Sequence, residues 1–363
     1  MSDREQHFPN RPPIVAQPLS IGNVALPSRF FLAPLAGYTS LAFRQAVREC
    51  GGLGHATTDL VNARSLIERR PRALELAETN DDDRPLSIQL YGHVLDEMRQ
   101  AARIVQDLGA SCVDINMGCP VRKVVRTGGG SALMCQIDDA ASLVSGIIES
   151  VQIPVTVKMR LGWDAESLTA PALARRFEQI GVAAVIVHGR TRQQGFKGSV
   201  SREGIRAVVE AVEAMPVVAN GDIRTIADAA DTFEETGCAA VSIGRGALAN
   251  PFFFRQLDTW SRTGHPGPDS TFDERLDLMI RHFTGLLERR GERMACLQFR
   301  KTLKWYSHFT RMPRPFYLRM INLPSSQRFY ETLDLVREAG PSAPLPGHFD
   351  AHIPVPSGPI DKW

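Results

Sequence analysis

Val113-Asp-Ile-Asn-Met-Gly-Cys-Pro-Val-Arg-Lys-Val124 is a short apolar run that ends on Asn116, Gly118, Cys119 and Pro120 and then turns cationic. A run this short, broken by Gly and Pro, reads as a buried strand of a parallel sheet with a polar loop at its carboxyl end. Folds of that class keep their chemistry in such loops, which makes Cys119 the first candidate residue.

Outward from this stretch the pattern repeats. Short Val, Ile and Leu runs predict strands at 30–35, 54–58, 87–90, 113–116, 155–159, 184–188, 217–219 and 240–243. Between them, apolar residues at helical spacing predict helices at 41–50, 96–108, 138–151, 173–180, 205–214 and 226–236. Gly109, Gly181 and Gly237 stand where a helix stop is needed before the next strand. Eight such alternations over roughly 230 residues predict an α/β fold of the closed (β/α)₈ TIM-barrel type rather than a doubly wound sheet. No Gly-x-Gly-x-x-Gly follows an expected strand, and Gly128-Gly-Gly130 comes well after the fourth.

The polar stretch Gly264-His-Pro-Gly-Pro268 divides this barrel, expected over 19–260, from a small helical domain expected over 270–340. In that domain 273–306 reads as two helices broken at Gly291, and 327–339 as another. An N-terminal extension, 1–18, and a Pro-rich tail, 341–363, are expected to be extended or poorly ordered.

At 363 residues and 43% hydrophobic content the chain can bury a large core. It has no apolar run near the ~20 residues that a membrane span needs. Its start carries mixed charge and no hydrophobic stretch behind it, so no secretory signal is read and a cytoplasmic location is expected. Cys50, Cys112, Cys119, Cys135, Cys238 and Cys296 are scattered, which argues against both a disulfide framework and a metal site. The net charge of +2 hides an asymmetry: residues 275–328 carry twelve Lys and Arg against three acids, a surplus of nine that leaves the rest at −7. One end of the molecule is therefore suited to a polyanion.

In a barrel, residues just after each strand converge on one mouth. They include Pro34-Leu-Ala-Gly37, Gln89, Asn116 with Cys119, Lys158 with Arg160, His188-Gly-Arg-Thr191, Asn220-Gly-Asp222 and Gly244-Arg-Gly246. The end of the second strand, Thr57-Thr-Asp59, is less telling. Glycine loops after strands seven and eight are where barrels bind phosphate, although such glycines also serve plain turns. His188 alone reads equally well as a packed core histidine or as a ligand. Lys158 and Arg160 alternate, so both point to one face, and two like charges there call for an anionic partner. An isolated Cys119 would be an inert buried thiol; the Gly-Cys-Pro turn followed by Arg122, Lys123 and Arg126 favours a functional one.

Taken in order, Ala33-Pro-Leu-Ala-Gly37, Gln89-Leu-Tyr-Gly92, Asp114-Ile-Asn-Met-Gly-Cys-Pro120, Gly130-Ser-Ala-Leu-Met134, Val157-Lys-Met-Arg160, His188-Gly-Arg-Thr191, Asn220-Gly-Asp222 and Ile243-Gly-Arg245 resemble the tRNA-dihydrouridine synthases. The resemblance extends to Phe299-Arg-Lys-Thr-Leu-Lys-Trp-Tyr306, which is similar to a helix of that family's RNA-binding domain. One departure is Leu35, where the family usually has Met, a volume-conserving change.

The resemblance implies FMN as cofactor, NADPH as a transient reductant, and tRNA as the partner whose uridines become 5,6-dihydrouridine. A monomer without metal is expected. The resemblance places Pro34, Leu35 and Ala36 at the edge of the flavin ring, Gln89 and Lys158 at its polar rim and His188 nearby, with Asn220, Gly221, Asp222, Gly244 and Arg245 at the phosphate. For the substrate it implies Asn116 and Arg160 at the uracil, and Lys123, Arg126, Arg300, Lys301 and Lys304 at the tRNA backbone. Hydride delivery to uracil C6 leaves negative charge on C5 and the C4 carbonyl, so Cys119 is expected to protonate C5 as a general acid. A flavin dehydrogenase of a free small molecule, such as dihydroorotate or a dihydropyrimidine, is the alternative. It leaves the cationic C-terminal region unused. A catalytically silent RNA-binding barrel is a third reading, which the Asn116, Cys119, Lys158 and His188 set disfavours.

Overall fold

The computed structural model describes residues 8–347. The stretches 1–7 and 348–363, the outer parts of the expected extension and tail, lie outside the described residues.

Eight strands form the barrel: β1 (Phe30–Leu32), β2 (His55–Thr57), β3 (Leu86–Tyr91), β4 (Cys112–Met117), β5 (Val155–Arg160), β6 (Ala184–His188), β7 (Val217–Asn220) and β8 (Ala240–Ile243). Each pairs in parallel with its sequence neighbour, β8 pairs with β1, and β2 pairs with β3, so the sheet closes. Helices cross over between successive strands and bury their apolar faces against the outside of the sheet. The all-buried Val and Ile of β4 and β6 show why these strands read as apolar runs: helices cover the outside and side chains fill the inside. β1 stops at Leu32, short of the expected Leu35, because Pro34 has no N–H to extend the ladder.

Two short features were not anticipated from the sequence. An antiparallel hairpin, Leu19–Ile21 with Val24–Leu26, packs Ile21 and Leu26 against Phe31, Cys112, Ala184, Ile186, Val218 and Ala240, sealing the amino-terminal end of the barrel. A two-residue strand, Val61–Asn62, adds to the side of β3. Both are too short to carry a periodic signal.

The ends are better held than expected where they are described. Val15 is buried, Trp260 Nε1 donates to the Pro9 carbonyl at 3.2 Å, and Arg11 Nη1 donates to the Ser261 carbonyl at 2.9 Å. Residues 9–17 are therefore fastened to the helix Phe253–Thr263, which corrects the expectation of a loose extension. At the other end the buried Arg275 donates to the Pro346 carbonyl at 2.9 Å.

The C-terminal region is helical. Phe272–Phe309 is broken at Gly291, whose φ of 70° and ψ of 166° leave the helix, and Arg314–Met320 and Ser326–Ala339 follow. Phe283, Phe299 and Phe329 pack together, with Phe283 and Phe329 stacked at 3.9 Å between ring centroids. The same apolar cluster takes in Ala42, Ala46 and Phe252 from the barrel side. Arg281 pairs with Glu49, Arg289 with Glu78, and Arg290 with Glu75 and Glu78, at distances from 2.6 to 3.4 Å. These partly exposed pairs are each worth at most about 1 kcal/mol, so apolar burial holds the helices on the barrel.

Candidate active site

Strand register decides which side chains meet. Asn116 on β4 lies opposite Lys158 on β5, Arg160 opposite His188 on β6, and His188 opposite Asn220 on β7. The carboxyl ends of four adjacent strands thus lie side by side, with Asn116 and Lys158 one row and Arg160, His188 and Asn220 the row two residues on, and alternation turns both rows to the barrel interior. Lys158 Nζ donates to Asn220 Oδ1 at 3.0 Å, while Asn220 Nδ2 donates to the Ser242 carbonyl at 2.7 Å. Below, Gln89 Nε2 donates to Asp114 Oδ2 at 2.6 Å, and Asn116 Nδ2 donates to Gln89 Oε1 at 2.7 Å.

The loop after β4 carries Cys119 and is held from both sides. Asn116 Oδ1 accepts from the Cys119 N–H at 2.9 Å and from the Gly118 N–H at 3.3 Å. Arg160 Nε donates to the Gly118 carbonyl at 2.7 Å, and its Nη1 donates to the Thr191 and Gly195 carbonyls at 2.9 and 2.8 Å. Arg160 therefore ties the cysteine loop to the loop after β6. Its Nη2 remains for a ligand, as does one N–H of Asn116. Gly130 sits against this loop with φ 59°, and a Cβ there would fall 2.8 Å from the Cys119 carbonyl oxygen.

Half-buried, Cys119 has its thiol pushed above the ordinary range mainly by desolvation, with Asp59 adding to the effect. The Val121 backbone N–H, Arg160 and Lys158 pull the other way without prevailing. A thiol is thus kept protonated, as an acid requires and a nucleophile does not. Burial and the nearby Arg160 bring Lys158 down to about 8. Burial, followed by Arg160, Lys158, Arg190 and Arg245, holds His188 well below its usual range, so the ring is neutral. Arg190 Nη1 lies 3.2 Å from His188 Nε2. A guanidinium only donates, which places the imidazole proton on Nδ1.

At the opposite side of the mouth the loops after β7 and β8 meet. Asp222 has φ 51° and Gly221 φ 120°, and a Cβ on Gly221 would fall 2.5 Å from Val200 Cγ1. Asp222 holds Arg190 at 2.6 Å and Arg245 at 3.3 Å, with Arg224 at 3.9 Å. Three guanidiniums around one carboxylate leave a positive surplus beside a glycine turn. That arrangement suits a phosphate dianion, as the expected FMN would bring. Gly244 lies against Leu35, 3.3 Å from where its Cβ would stand, and Pro34, Leu35 and Ala36 are open to the mouth. The lining thus fits a phosphate at one end and a flat ring, apolar on one edge and polar on the other, beside Cys119.

The expected tRNA contacts lie farther out. Lys123 and Arg126 are exposed on the turn after Cys119. Lys301 and Lys304 are exposed on the long C-terminal helix, and Lys301 Nζ comes within 3.8 Å of the position a Gly37 Cβ would take, at the barrel mouth. Arg300 is half-buried with one Nη bonded to the Leu323 carbonyl. The charge surplus of this region is partly used inside the molecule, since Arg275 is buried and Arg281, Arg289 and Arg290 pair with barrel acids. Phe299, Trp305, Tyr306 and Phe309 are core.

Four residues at the mouth were not singled out from the sequence. Asp59, just after β2, accepts from the Gly37 and Leu60 N–H groups at 2.7 Å each, and burial raises its carboxyl. Tyr91, ending β3, is close enough to Cys119 for the thiolate to raise its phenol further after burial. Arg190 stands within the quoted His188-Gly-Arg-Thr191 block, but its salt bridge to Asp222 needs two loops to meet. Phe196 is 41% exposed, stands 5.5 Å from the Arg160 guanidinium and 6.2 Å from the His188 ring, and lies too far beyond β6 for strand-end logic to find. Among the described residues no group of three His, Cys, Asp or Glu is placed to hold a metal ion, and no helix is long and apolar enough to cross a membrane.

A family model described as dihydrouridine synthase matches residues 31–336. A probable tRNA-dihydrouridine synthase of Rickettsia bellii is 35% identical over 321 residues, covering 88% of this chain and 94% of that protein. The probable tRNA-dihydrouridine synthase 1 of a Synechocystis species is 38% identical, covering 83% of each chain. The tRNA-dihydrouridine synthase B of Pseudomonas aeruginosa is 37% identical, covering 79% of this chain and 86% of its own. Among solved structures, the old yellow enzyme of Trypanosoma cruzi has a TM-score of 0.50 at 11% identity, covering 75% of this chain and 97% of its own, a likeness of fold.

Proposed function

This chain belongs to the dihydrouridine synthase family, and on that premise we propose that it reduces the C5=C6 bond of specific uridines in tRNA to 5,6-dihydrouridine, with Cys119 as the proton donor. Cys119 carries the reading: a protonated thiol on the loop after β4, braced by Asn116 and Arg160, faces the mouth beside Lys158.

When bound, reduced FMN supplies the hydride for uracil C6. Pro34, Leu35 and Ala36 would line its ring edge, Gln89, Lys158 and the Nδ1–H of neutral His188 would meet its polar rim, and the backbone of Asn220, Gly221 and Asp222 with Gly244 and Arg245 would take its phosphate. NADPH is the proposed reductant. At the uracil, Asn116 Nδ2 and Arg160 Nη2 donate to the C4 carbonyl, where negative charge gathers, and each is held by its other hydrogen bonds before substrate arrives. The Cys119 thiol gives its proton to C5 and is left as a thiolate in the field of Arg160 and Lys158. Phe196 offers a face on which the extruded base can stack.

Extruding a uridine costs a few kcal/mol. Lys123 and Arg126 on the turn after Cys119, with the exposed Lys301 and Lys304 on the long C-terminal helix, offset that cost by holding phosphates, with Arg300 beside them. The small-molecule dehydrogenase reading gives these cations no task. We further propose a monomer acting in the cytoplasm, with the helical region over 270–340 as the tRNA platform and 19–260 as the flavin barrel.

Cys119→Ala tests the assignment. In rapid mixing, flavin reduction by NADPH is expected to stay within about threefold of the parent, while uridine reduction by pre-reduced enzyme falls by about 10²–10⁴, the usual worth of a general acid. Survival of both half-reactions would remove Cys119 from the mechanism.

A further inference from the structure

Asp114 is 1% exposed, carries a carboxylate in the barrel interior, and has no part in the chemistry above. Its oxygens are engaged by Thr156 Oγ1 at 2.6 Å and Gln89 Nε2 at 2.6 Å. Gln89 passes on to Asn116, and Asn116 to the backbone of Gly118 and Cys119. We propose that Asp114 is a positioning residue for Cys119, acting through Gln89 and Asn116; the proposal rests on the reading of Cys119 as proton donor.

The direction of every bond in this chain follows from its outer end. A backbone N–H can only donate, so Asn116 must turn Oδ1 toward Cys119. Its Nδ2 then faces Gln89, which must answer with Oε1. That leaves Gln89 Nε2 pointing at residue 114, where only an acceptor will serve. Oδ2 of Asp114 accepts whichever state its other oxygen holds, because the Thr156 hydroxyl can donate or accept. Gln89, Asp114, Asn116 and Thr156 are all at most 6% exposed, so bulk solvent does not compete for these groups. An acceptor at position 114 is therefore what keeps both amides from turning over. A turned Asn116 would present N–H to N–H and release the loop that holds the thiol.

The test is a double-mutant cycle in the FMN-loaded enzyme that reverses the chain. Asn116→Asp removes the donor to Gln89 and sets two acceptors against each other at that link or at the next. Adding Asp114→Asn to it supplies a donor at the far end: in the double variant the carboxylate at position 116 accepts from both the Cys119 N–H and a turned Gln89, whose Oε1 then accepts from the amide at position 114. The expected result is a melting temperature about 5 °C below the parent for Asn116→Asp, with at least half of that loss recovered when Asp114→Asn is added. Uridine reduction should also rise at least tenfold over Asn116→Asp alone. Recovery of folded holoenzyme in the double variant when Asn116→Asp does not fold would support the relay equally. A double variant no more stable than Asn116→Asp, or neither folding, would overturn it. Melting does not depend on which reaction is catalysed, so a reversed relay together with an active Cys119→Ala enzyme would fault the proton-donor reading and leave the relay intact.

Discussion

Cys119, the proposed proton donor, departs from the usual chemistry of a reactive cysteine. Helix ends and cations commonly lower such a thiol, yet here burial and Asp59 outweigh Arg160, Lys158 and the Val121 N–H. The sign matters for pH. A group whose pKa is raised keeps its proton to higher pH, so the donor form is lost only as pH climbs through that raised value. Uridine reduction by pre-reduced enzyme is accordingly expected to be flat through neutrality and to fall only at alkaline pH, where Lys158 loses its proton at about 8 and the thiol follows above its ordinary range of about 8.5. A single-turnover pH profile measures this, and a fall centred below about 7 would contradict the thiol's role. The residue itself was legible in the sequence because a cysteine followed by proline and cations ends a buried strand. Its role as a protonated acid was expected too, but the upward push on the thiol was not legible, because it comes from burial in the folded mouth and then from Asp59 on another strand, whose motif, Thr57-Thr-Asp59, carries no sign of function.

Strand ends made most of the site legible. A strand alternates faces and a barrel gathers its carboxyl ends, so Gln89, Asn116, Lys158, His188 and Asn220 could be grouped from the sequence. What strand logic missed sits on loops or pairs loop with loop: Phe196 beyond β6, and Arg190 locked to Asp222 of the following loop. The hairpin at 19–26 and the strand Val61–Asn62 were missed because elements of two or three residues have no period to detect. The loop after β7 carries the clearest element-scale test. Gly221 combines φ 120° with a Cβ position 2.5 Å from Val200 Cγ1, so Gly221→Ala must strain or shift the turn, at about 1–3 kcal/mol. FMN affinity, read by flavin fluorescence, is expected to weaken roughly five- to hundredfold; unchanged affinity would take this turn out of the phosphate site.

At the scale of the whole molecule, the C-terminal charge surplus divides into two uses that composition could not separate. Arg275, Arg281, Arg289 and Arg290 are spent inside the molecule, on carbonyls of the C-terminal region and on barrel acids, while Lys301 and Lys304 face outward with Lys123 and Arg126. If four exposed cations meet phosphates, the plot of log affinity for tRNA against log salt should have a slope of roughly −3 to −4, and Lys301→Ala should make it shallower by about one. A slope near zero would move the RNA platform elsewhere. The central claim is that this barrel reduces uridine within tRNA. The most direct measurement incubates the FMN-loaded protein with NADPH and an unmodified tRNA transcript, then maps dihydrouridine by mass spectrometry of nuclease fragments. Dihydrouridine is expected at defined positions, matched by NADPH consumed, and none with Cys119→Ala. A yellow protein that leaves the transcript unchanged yet turns over dihydroorotate or a free pyrimidine would contradict it.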